Sequence, residues 1–332
     1  MTWNLIKEKI YSVNNIVIIG HIAPDADALG STCGLAEGLI NIGKKVYVVF
    51  EDKVPDNLEF ILRGIRKKGI DVINYFPKDK NIELIIYCDL SSKSRIGNNL
   101  LNDINEDIFS ICIDHHESNE QFSNLNYVIK NAMATCEIMY EVFNALNLKI
   151  TPSIADSLFA GLSADSGSFR YSQTSRNTFF VAMKLSECGA RTYDISTNLW
   201  SMKSRKKIEL LKIILDRMEF SFNDKFVVSY VTLDDFKKLD STKEHLEGLV
   251  SELRDIQGVI LAVLVYEQED YFKFSVRGKD ENISTLPIST SFGGGGHILA
   301  SAARINKDST DFKEPTIEKI IGRIKDIVAK IM

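Results

Sequence analysis

Short, wholly apolar runs alternate with longer segments of helical spacing through the first half of the chain. A short apolar run between polar turns is typical of a strand that is buried on both faces of a parallel sheet. Strands that alternate with helices favour an α/β fold in which helices cover both faces of the sheet. The pattern predicts strands at 16–20, 45–50, 83–88 and 109–113, and helices at 4–12, 29–42, 57–68, 134–147, 152–164 and 175–188.

The rhythm changes in the second half of the chain. Residues 194–220 have a helical pattern with a break near 201–204, and their apolar stripe, which we interpret as a packing face, consists of Ile208, Leu211, Leu215 and Met218. The pattern then predicts strands at 226–232, 259–266, 271–277 and 300–305 and helices at 244–257 and 318–330. We therefore expect an N-terminal domain at 1–190, a helical connector at 191–222 and a smaller α+β domain at 223–332.

Composition limits the class of protein. The chain has 332 residues, 45% of them hydrophobic and 26% charged, which is typical of a globular protein with a large core. Its net charge of -5 disfavours binding of long duplex nucleic acid by charge alone, whereas a local basic pocket for a small anion remains open. The five cysteines lack CxxC spacing, and no apolar run is long enough to cross a membrane. We expect a cytoplasmic protein.

Polar side chains follow three of the predicted strands at the point where each strand ends. His21 follows the first strand, Asp89 follows the strand at 83–88, and the run from Asp114 to His116 follows the strand at 109–113. Ligands of parallel sheets bind outside the carboxyl ends of the strands, so we expect these residues to meet at one edge. Three further acids lie in neighbouring loops, namely Asp25, Asp27 and Asp165.

The charge of this set indicates bound cations. Four carboxylates (Asp25, Asp27, Asp89 and Asp165) in one cleft would repel each other by several kcal/mol, whereas two divalent ions would neutralise them. Any one of these acids alone would be interpreted as a solvated loop residue. As a set they predict a two-metal site, in which ions about 3.5–4 Å apart bind the attacking and leaving oxygens of a phosphoryl displacement.

A run of four glycines lies near the end of the chain. Gly293 to Gly296 precede His297, and the run is either a flexible turn or a place where backbone N–H groups approach a phosphate closely. Three cationic residues nearby in sequence would add an anion pocket, namely Arg277, Lys279 and Arg304.

Together these stretches resemble the DHH phosphoesterase superfamily with a C-terminal DHHA1 domain. The resemblance covers nearly the whole chain and rests on several motifs rather than on one. The motifs are His21 to Ser31, Asp89 to Gly97, Asp114 to His116, Asp165 to Arg170, Ser275 to Arg277 and Gly293 to His297.

The resemblance implies roles for individual residues. One Mn²⁺ would be held by His21, Asp25 and Asp89, and a second by Asp27, Asp89, His115 and Asp165. His116 would orient or protonate the substrate phosphate, and Asp114 would support the histidines. Zn²⁺ or Co²⁺ also suits this mixture of imidazole and carboxylate ligands. The expected substrate-binding residues are Arg95, Arg170, Arg277, Gly294, Gly295, Gly296 and His297.

The function that follows is that of a cytosolic hydrolase of short nucleotides. The resemblance implies that a water activated by two metal ions cleaves nanoRNA, pApA or cyclic di-AMP diesters, or the monoester of pAp, and it is compatible with a homodimer. Two alternatives from other classes stay open, a manganese-dependent inorganic pyrophosphatase and a non-catalytic nucleotide-binding protein. A processive exonuclease is disfavoured because the chain leaves no room for an added nucleic-acid-binding domain.

Overall fold

Buried β-strands form the centre of each of the two units into which the chain divides. The computed structural model describes residues 2–310 and 312–332. The boundary between the N-terminal and C-terminal units falls between Met202 and Lys203, inside the segment predicted to be a connector.

The N-terminal unit is built on one parallel sheet. Within the described residues the sheet has six strands in the order β3-β2-β1-β4-β5-β6, so β1 and β4 lie side by side at its centre. The predicted α/β class is therefore confirmed, although two short outer strands, β3 and β6, were not predicted. The strands are β1 (Asn15–Ile19), β2 (Lys45–Val49), β3 (Val72–Ile73), β4 (Leu84–Cys88), β5 (Ser110–Asp114) and β6 (Leu125–Val128).

Helices cover both faces of this sheet. On one face, strand residues such as Ile18 and Ile86 join the larger core. On the other face, Val17 and Tyr87 pack with Leu100 in a smaller one. The helices are α1 (Thr2–Ser12), α2 (Ala26–Asn41), α3 (Arg63–Lys67), α4 (Asn98–Asp103), α5 (Thr135–Ala145), α6 (Pro152–Asp165), α7 (Arg176–Glu187) and α8 (Thr192–Ser196), with 3₁₀ turns at Asp56–Leu62 and Lys93–Arg95 and a π-helical turn at Thr197–Ser201.

Helices α2 and α6 pack unusually closely because each presents a glycine to the other. A Cβ on Gly30 would lie 2.4 Å from the carbonyl oxygen of Ser157, and one on Gly161 would lie 2.8 Å from Oδ1 of Asp27. The backbone can approach this closely only where no side chain intervenes. This contact brings the first turn of α2 next to the last turns of α6, and both turns carry predicted metal ligands.

The C-terminal unit has a mixed sheet with the order β11-β12-β10-β9-β8-β7 in its described part. β8 and β9 are parallel, and the other neighbours are antiparallel. The predicted hairpin of β9 and β10 is confirmed, and this smaller unit is α+β as expected. Its elements are α9 (Arg205–Asp216), β7 (Glu219–Ser221), β8 (Phe226–Val231), α10 (Leu233–Lys238), α11 (Leu249–Arg254), β9 (Leu261–Glu267), β10 (Tyr271–Gly278), α12 (Leu286–Thr290), β11 (Gly295–His297), β12 (Ala300–Asn306) and α13 (Ile317–Ile331), with a 3₁₀ turn at Lys243–Leu246.

Some sequence predictions for helices were wrong. The helix predicted at 194–220 ends at Asp216, because the next residues leave the helix to pair with β8 as strand β7. The helix predicted at 244–257 is divided by Gly248, whose φ of 77° is left-handed. The helix predicted at 57–68 is a 3₁₀ turn followed by α3.

The packing stripe predicted for this segment was right in part. Leu211 and Met218 pack against the buried cluster, as predicted. Leu210 and Ile214, which are fully buried, were missed, whereas Ile208 is 46% and Leu215 42% exposed. The apolar surface of helix α9 is wider than its buried face, so periodicity alone did not locate the centre of that face.

Two further features bear on the class of protein. Within the described residues, no helix combines the length and apolar character that a membrane span requires. All five cysteines are free thiols, and only Cys188 is not fully buried.

Gly30→Ala tests the close packing of α2 on α6. The added methyl has no space against the backbone of Ser157, so we expect a loss of about 1–3 kcal/mol in the free energy of unfolding, measured by urea denaturation. Gly322→Ala is the control, because a Cβ there meets no atom within 4 Å and should add about 0.5–1 kcal/mol to helix α13. Equal effects of the two substitutions would contradict this account of the packing.

Candidate metal centre

The candidate centre lies where the strand order of the parallel sheet reverses. β1 and β4 are neighbours, and the chain leaves each of them toward opposite sides of the sheet. Open parallel sheets bind ligands at such a point, outside the carboxyl ends of the strands. His21 and Asp89 follow these two strands, and Asp114 ends the next strand, β5.

The loop after β1 leads directly into helix α2. Asp25 caps this helix, and its Oδ1 accepts hydrogen bonds from the backbone N–H groups of Asp27 and Ala28, both at 3.0 Å. The cap fixes one carboxylate oxygen of Asp25 and leaves the other facing His21. Asp27 lies in the first helical turn and is fully buried.

Residues at the N-terminus of helix α5 donate hydrogen bonds to two of the acids, Asp27 and Asp89. The backbone N–H groups of Thr135 and Cys136 donate to the two carboxylate oxygens of Asp27 at 2.6 and 2.9 Å. The Thr135 hydroxyl donates to Oδ1 of Asp89 at 2.9 Å. Unpaired N–H groups and the helix dipole favour negative charge at this position.

His21 closes the first group of potential ligands. Its Nε2 lies 3.5 Å from Oδ2 of Asp25 and 3.4 Å from Oδ2 of Asp89. Its Nδ1 lies 2.7 Å from the carbonyl oxygen of Ile22, which suits a proton on Nδ1 and leaves the Nε2 lone pair directed at the acids. These three side chains converge closely enough to hold one metal ion.

His115 belongs to a second group of potential ligands, as His21 does to the first. Its Nε2 lies 3.5 Å from Oδ1 of Asp89, 3.5 Å from Oδ2 of Asp165 and 4.0 Å from Oδ2 of Asp27. Its Nδ1 lies 3.3 Å from the carbonyl oxygen of Ala132, again on the side away from the acids. Asp27, His115 and Asp165 converge as a second potential site, and Asp89 converges with His115 and His116 in a third group that overlaps with it.

His116 is oriented by a chain of hydrogen bonds. Its Nδ1 lies 2.8 Å from Oδ1 of the fully buried Asp114, whose Oδ2 accepts a hydrogen bond of 2.6 Å from the Asn119 amide. Nδ1 is also 3.7 Å from Asp89, so the ring borders the carboxylates. The ring is about one-third exposed, which leaves Nε2 accessible to a substrate.

Burial and like charge disfavour the ionised form of two acids in the cluster, Asp27 and Asp165. Burial and the charge of Asp89 raise the pKa of Asp27 well above its ordinary value, and burial and the charges of Asp27 and Asp25 do the same for Asp165. Burial opposes protonation of His21, but its contacts with Asp25 and Asp89 outweigh burial and raise its pKa to about 10.

The paired acids behave differently. Burial opposes the ionisation of Asp25 and Asp114, but the hydrogen bonds from His21 and His116 respectively lower the pKa of each carboxyl. Conversely, burial works against protonation of His116, and Asp114 raises its pKa.

The donor set fits divalent cations. It combines imidazole nitrogens with carboxylate oxygens, and the pKa values of two of the carboxyls, Asp27 and Asp165, are raised by burial and by neighbouring negative charge, which a cation would offset. The groups overlap, because Asp89 converges with His21 and Asp25 in one group and with His115 and His116 in another, and this overlap suits a pair of ions better than a single one.

The two arginines predicted in this unit border the cluster differently. Nη2 of Arg95 lies 3.2 Å from Nδ1 of His21, on the side of the ring away from the acids. Arg170 is exposed, its Nε donates to the carbonyl oxygen of Gly167 at 2.7 Å, and its guanidinium lies 5.9 Å from the ring centre of Trp200. The structure therefore places Arg95 beside a predicted ligand and Arg170 in the loop that follows α6.

The residues predicted to bind substrate in the C-terminal unit lie on neighbouring strands. The sequence predicted a loop for the glycine run. In the structure, however, Gly295–His297 forms edge strand β11 against β12. A Cβ on Gly294 would lie 2.2 Å from the carbonyl oxygen of Ala302, so only glycine permits this approach. His297 and Arg277 both lie opposite Ala300, one on each side of β12.

Sequence reasoning missed two side chains that position the cluster. Thr135 contacts both Asp27 and Asp89, and Asn119 holds Asp114. The predicted start of a helix at residue 134 was a usable signal for Thr135, because a helix N-terminus attracts carboxylates. Asn119 lies in a turn without any comparable signal.

Comparison with known proteins identifies the family. Residues 15–162 match the model of the DHH family, N-terminal domain, and residues 223–330 match that of the DHHA1 domain. The chain is 26% identical over 302 residues to a protein of Thermus thermophilus named bifunctional oligoribonuclease and PAP phosphatase NrnA, covering 91% of this chain and 87% of the relative. The protein of that name from Bacillus subtilis is 25% identical, covering 88% and 90%.

A solved structure shows the same fold. The exopolyphosphatase-related protein from Bacteroides fragilis has a TM-score of 0.88 and 22% identity, covering 99% of this chain and 96% of that one. The fold and the centre thus define a phosphoesterase, a class of hydrolase. The chain belongs to the DHH family and carries a DHHA1 domain, which confirms the resemblance stated from its motifs.

The stability of the metal-free protein should depend on pH in a way that reveals the crowding of charge. The pKa values of Asp27, Asp165, His21 and His116 are all raised in the folded state, so each contributes stability at low pH that is lost as pH rises. In EDTA we therefore expect Tm to fall between pH 5 and pH 8.

Asp165→Asn should reduce this fall, because it removes one of the repelling charges. At pH 8 in EDTA the variant should exceed wild type in Tm, by about 2–4 °C for each kcal/mol of repulsion relieved. With Mn²⁺ the order should reverse. Asp107→Asn, at an exposed acid of the same unit, is the control. A wild-type Tm that is higher at pH 8 than at pH 5 in EDTA would contradict the electrostatic account.

Proposed function

We propose that this chain hydrolyses phosphoester bonds in short nucleotides with the help of two divalent metal ions. The observation that supports the proposal most strongly is the position of Asp89, whose two oxygens face the two histidines of separate ligand groups. In this proposal His21, Asp25 and Asp89 hold one ion. Asp27, Asp89, His115 and Asp165 hold the other.

The metal ions and the protein side chains would have separate roles in the reaction. When bound, two such ions supply an activated water and neutralise charge on the phosphoryl oxygens. His116 would donate a hydrogen bond or a proton from Nε2 to the substrate phosphate, because Asp114 occupies its Nδ1. Arg95 lies beside His21 and would add positive charge at the entrance of the centre.

We propose Mn²⁺ as the metal. Imidazole and carboxylate ligands in a partly open site suit Mn²⁺, and the lack of thiolate ligands in these groups argues against a structural zinc site. The same donors also bind Zn²⁺ or Co²⁺, so metal identity is a separate measurement from metal dependence.

The relatives support short nucleotides as substrates. Both relatives described above are named as oligoribonuclease and PAP phosphatase. A substrate of this kind carries phosphates beyond the scissile one, and Arg277, His297 and the backbone of Gly295 and Gly296 would bind them. Gly294 would support this contact by its shape, because its own N–H donates to the carbonyl oxygen of Ser289 at 2.9 Å. Arg170 is proposed as a further contact. Among candidate substrates we include pAp, pApA, cyclic di-AMP and nanoRNA.

A substrate panel tests the proposal. With Mn²⁺ we expect hydrolysis of short oligoribonucleotides or pAp at least tenfold faster than that of pyrophosphate, measured as initial rates of phosphate or mononucleotide release. Asp89→Ala should abolish turnover of every substrate, because Asp89 is the proposed ligand of both ions. Preferred hydrolysis of pyrophosphate, or wild-type rates for Asp89→Ala, would refute the proposal.

His297→Ala separates substrate binding from chemistry. We expect it mainly to raise KM, because His297 is exposed on the C-terminal unit and belongs to neither ligand group. His245→Ala is the matched control, since that histidine hydrogen-bonds Thr242 within its own turn and has no proposed role. A fall in kcat with KM unchanged for His297→Ala would show that the residue acts in the chemical step instead.

A further inference from the structure

On one face of the C-terminal sheet, two cross-strand rows carry polar side chains. The first row contains His297 and Arg277, and the outer row contains Arg304 and Lys273. Residues directly opposite each other in antiparallel strands point to the same face. The first row crosses the sheet as His297, Ala300 and Arg277. Two residues further along β12, the next row is Gly295, Ala302 and Ser275, and beyond it Arg304 lies opposite Lys273.

Small residues lie on this face between the two polar rows, and we call the surface that they form the shelf. Ala300, Ala302 and Ser275 carry short side chains, and Gly295 carries none. The opposite face of the same strands packs on helix α13 through Phe274, so the shelf has a rigid base. On the same face helix α11 packs against β9 and approaches β10, so a ring or a sugar has most space over Gly295, Ala300 and Ala302.

The outer row consists of two cations without acids to balance them. Lys273 and Arg304 are a directly opposed pair, and like charges in that relation destabilise a sheet. In the part of the chain that the structure describes, no ion pair joins either residue to an acid. The nearby Lys307 is by contrast paired with Glu267 at 2.7 Å. An uncompensated pair therefore remains at the end of the shelf.

Arg304 is held in place by two contacts, and Lys273 is half-buried. The Arg304 guanidinium lies 4.0 Å from the ring centre of Tyr271, and its Nε donates to Oδ1 of Asn306 at 3.0 Å. Burial lowers the pKa of Lys273, and the charges of Lys243 and Arg277 lower it further. A bound anion would relieve this repulsion.

We propose that Lys273 and Arg304 form an outer phosphate site for oligoribonucleotides longer than a dinucleotide. The proposal rests on the proposed function and specifies its substrate class. The strand would lie along the shelf, with one phosphate at Arg277 and His297 and a later one at Lys273 and Arg304. Single-stranded nucleic acid is commonly bound in this way, by cations along its backbone and a surface that accepts its bases.

The spacing of the rows determines the shortest substrate that reaches both. Arg277 and Lys273 are four residues apart on β10, which is about 13 Å along a strand. Neighbouring phosphates lie closer together than this, because only one sugar separates them. The two phosphates of pAp, or those of a 5′-phosphorylated dinucleotide, therefore do not span the shelf. Two phosphates that span the shelf have a third between them, and the scissile phosphate at the metal centre is a fourth, so a 5′-phosphorylated tetranucleotide is the shortest substrate that occupies every site.

The test compares substrate lengths in a charge-neutral variant. The double variant Lys273→Gln, Arg304→Gln should raise KM for a 5′-phosphorylated pentaribonucleotide about tenfold and leave kcat/KM for a 5′-phosphorylated dinucleotide and for pAp unchanged. The control is Lys212→Gln, Lys330→Gln, which removes two exposed lysines from helices of the same unit. Circular dichroism and Tm verify that both variants fold.

A binding measurement without catalysis completes the test. In EDTA, the fluorescence anisotropy of the labelled pentaribonucleotide should show about tenfold weaker binding to the double variant and a shallower salt dependence, because two phosphate contacts are lost. Equal losses for the dinucleotide and the pentanucleotide, or no loss for either, would overturn the proposal. If wild type hydrolyses no nucleotide at all, the proposed function fails, while the anisotropy result still decides the outer site.

Discussion

The crowding of four carboxylates in one pocket is the constraint on which the rest of the N-terminal unit depends. Asp27 and Asp165 have raised pKa values because like charges lie close to them in a desolvated place. The protein offsets part of this repulsion with its own groups, through the N-terminus of α5 beneath Asp27 and through His21 beside Asp25. A pair of divalent cations would neutralise the remaining negative charge. The crowding of the carboxylates therefore accounts both for the proposed metal site and for the proposed chemistry.

The fold supplies this arrangement from distant parts of the sequence. The carboxyl ends of β1, β4 and β5 meet at one edge, which brings His21, Asp89 and His115 together. Asp165 comes from the end of α6, which approaches α2 through paired glycines. Each of these residues lies in a rigid element or directly after one, so the proposed ligands would require little reorganisation to receive ions. The C-terminal unit contributes a different kind of surface, an open sheet face with cations at both ends.

Much of this architecture was visible in the sequence, because each ligand of the sheet edge directly follows an apolar run. Alternation of such runs with helices was sufficient to predict the parallel sheet. Edge strand β11 was missed because its glycines carry no apolar pattern, and only its contact with β12 makes it a strand. Thr135 was missed for a related reason: its role depends on a helix start meeting Asp27 and Asp89 across more than forty residues of sequence. Pairings at long range leave no local trace.

The stoichiometry of metal binding tests the central claim most directly. Equilibrium dialysis of the purified chain against Mn²⁺ at pH 8, with bound metal measured by atomic absorption, should give two tightly held ions per chain. A folded protein that takes up no divalent ion under these conditions would contradict the account, because the four acids would then share their pocket without the positive charge on which the proposed chemistry depends.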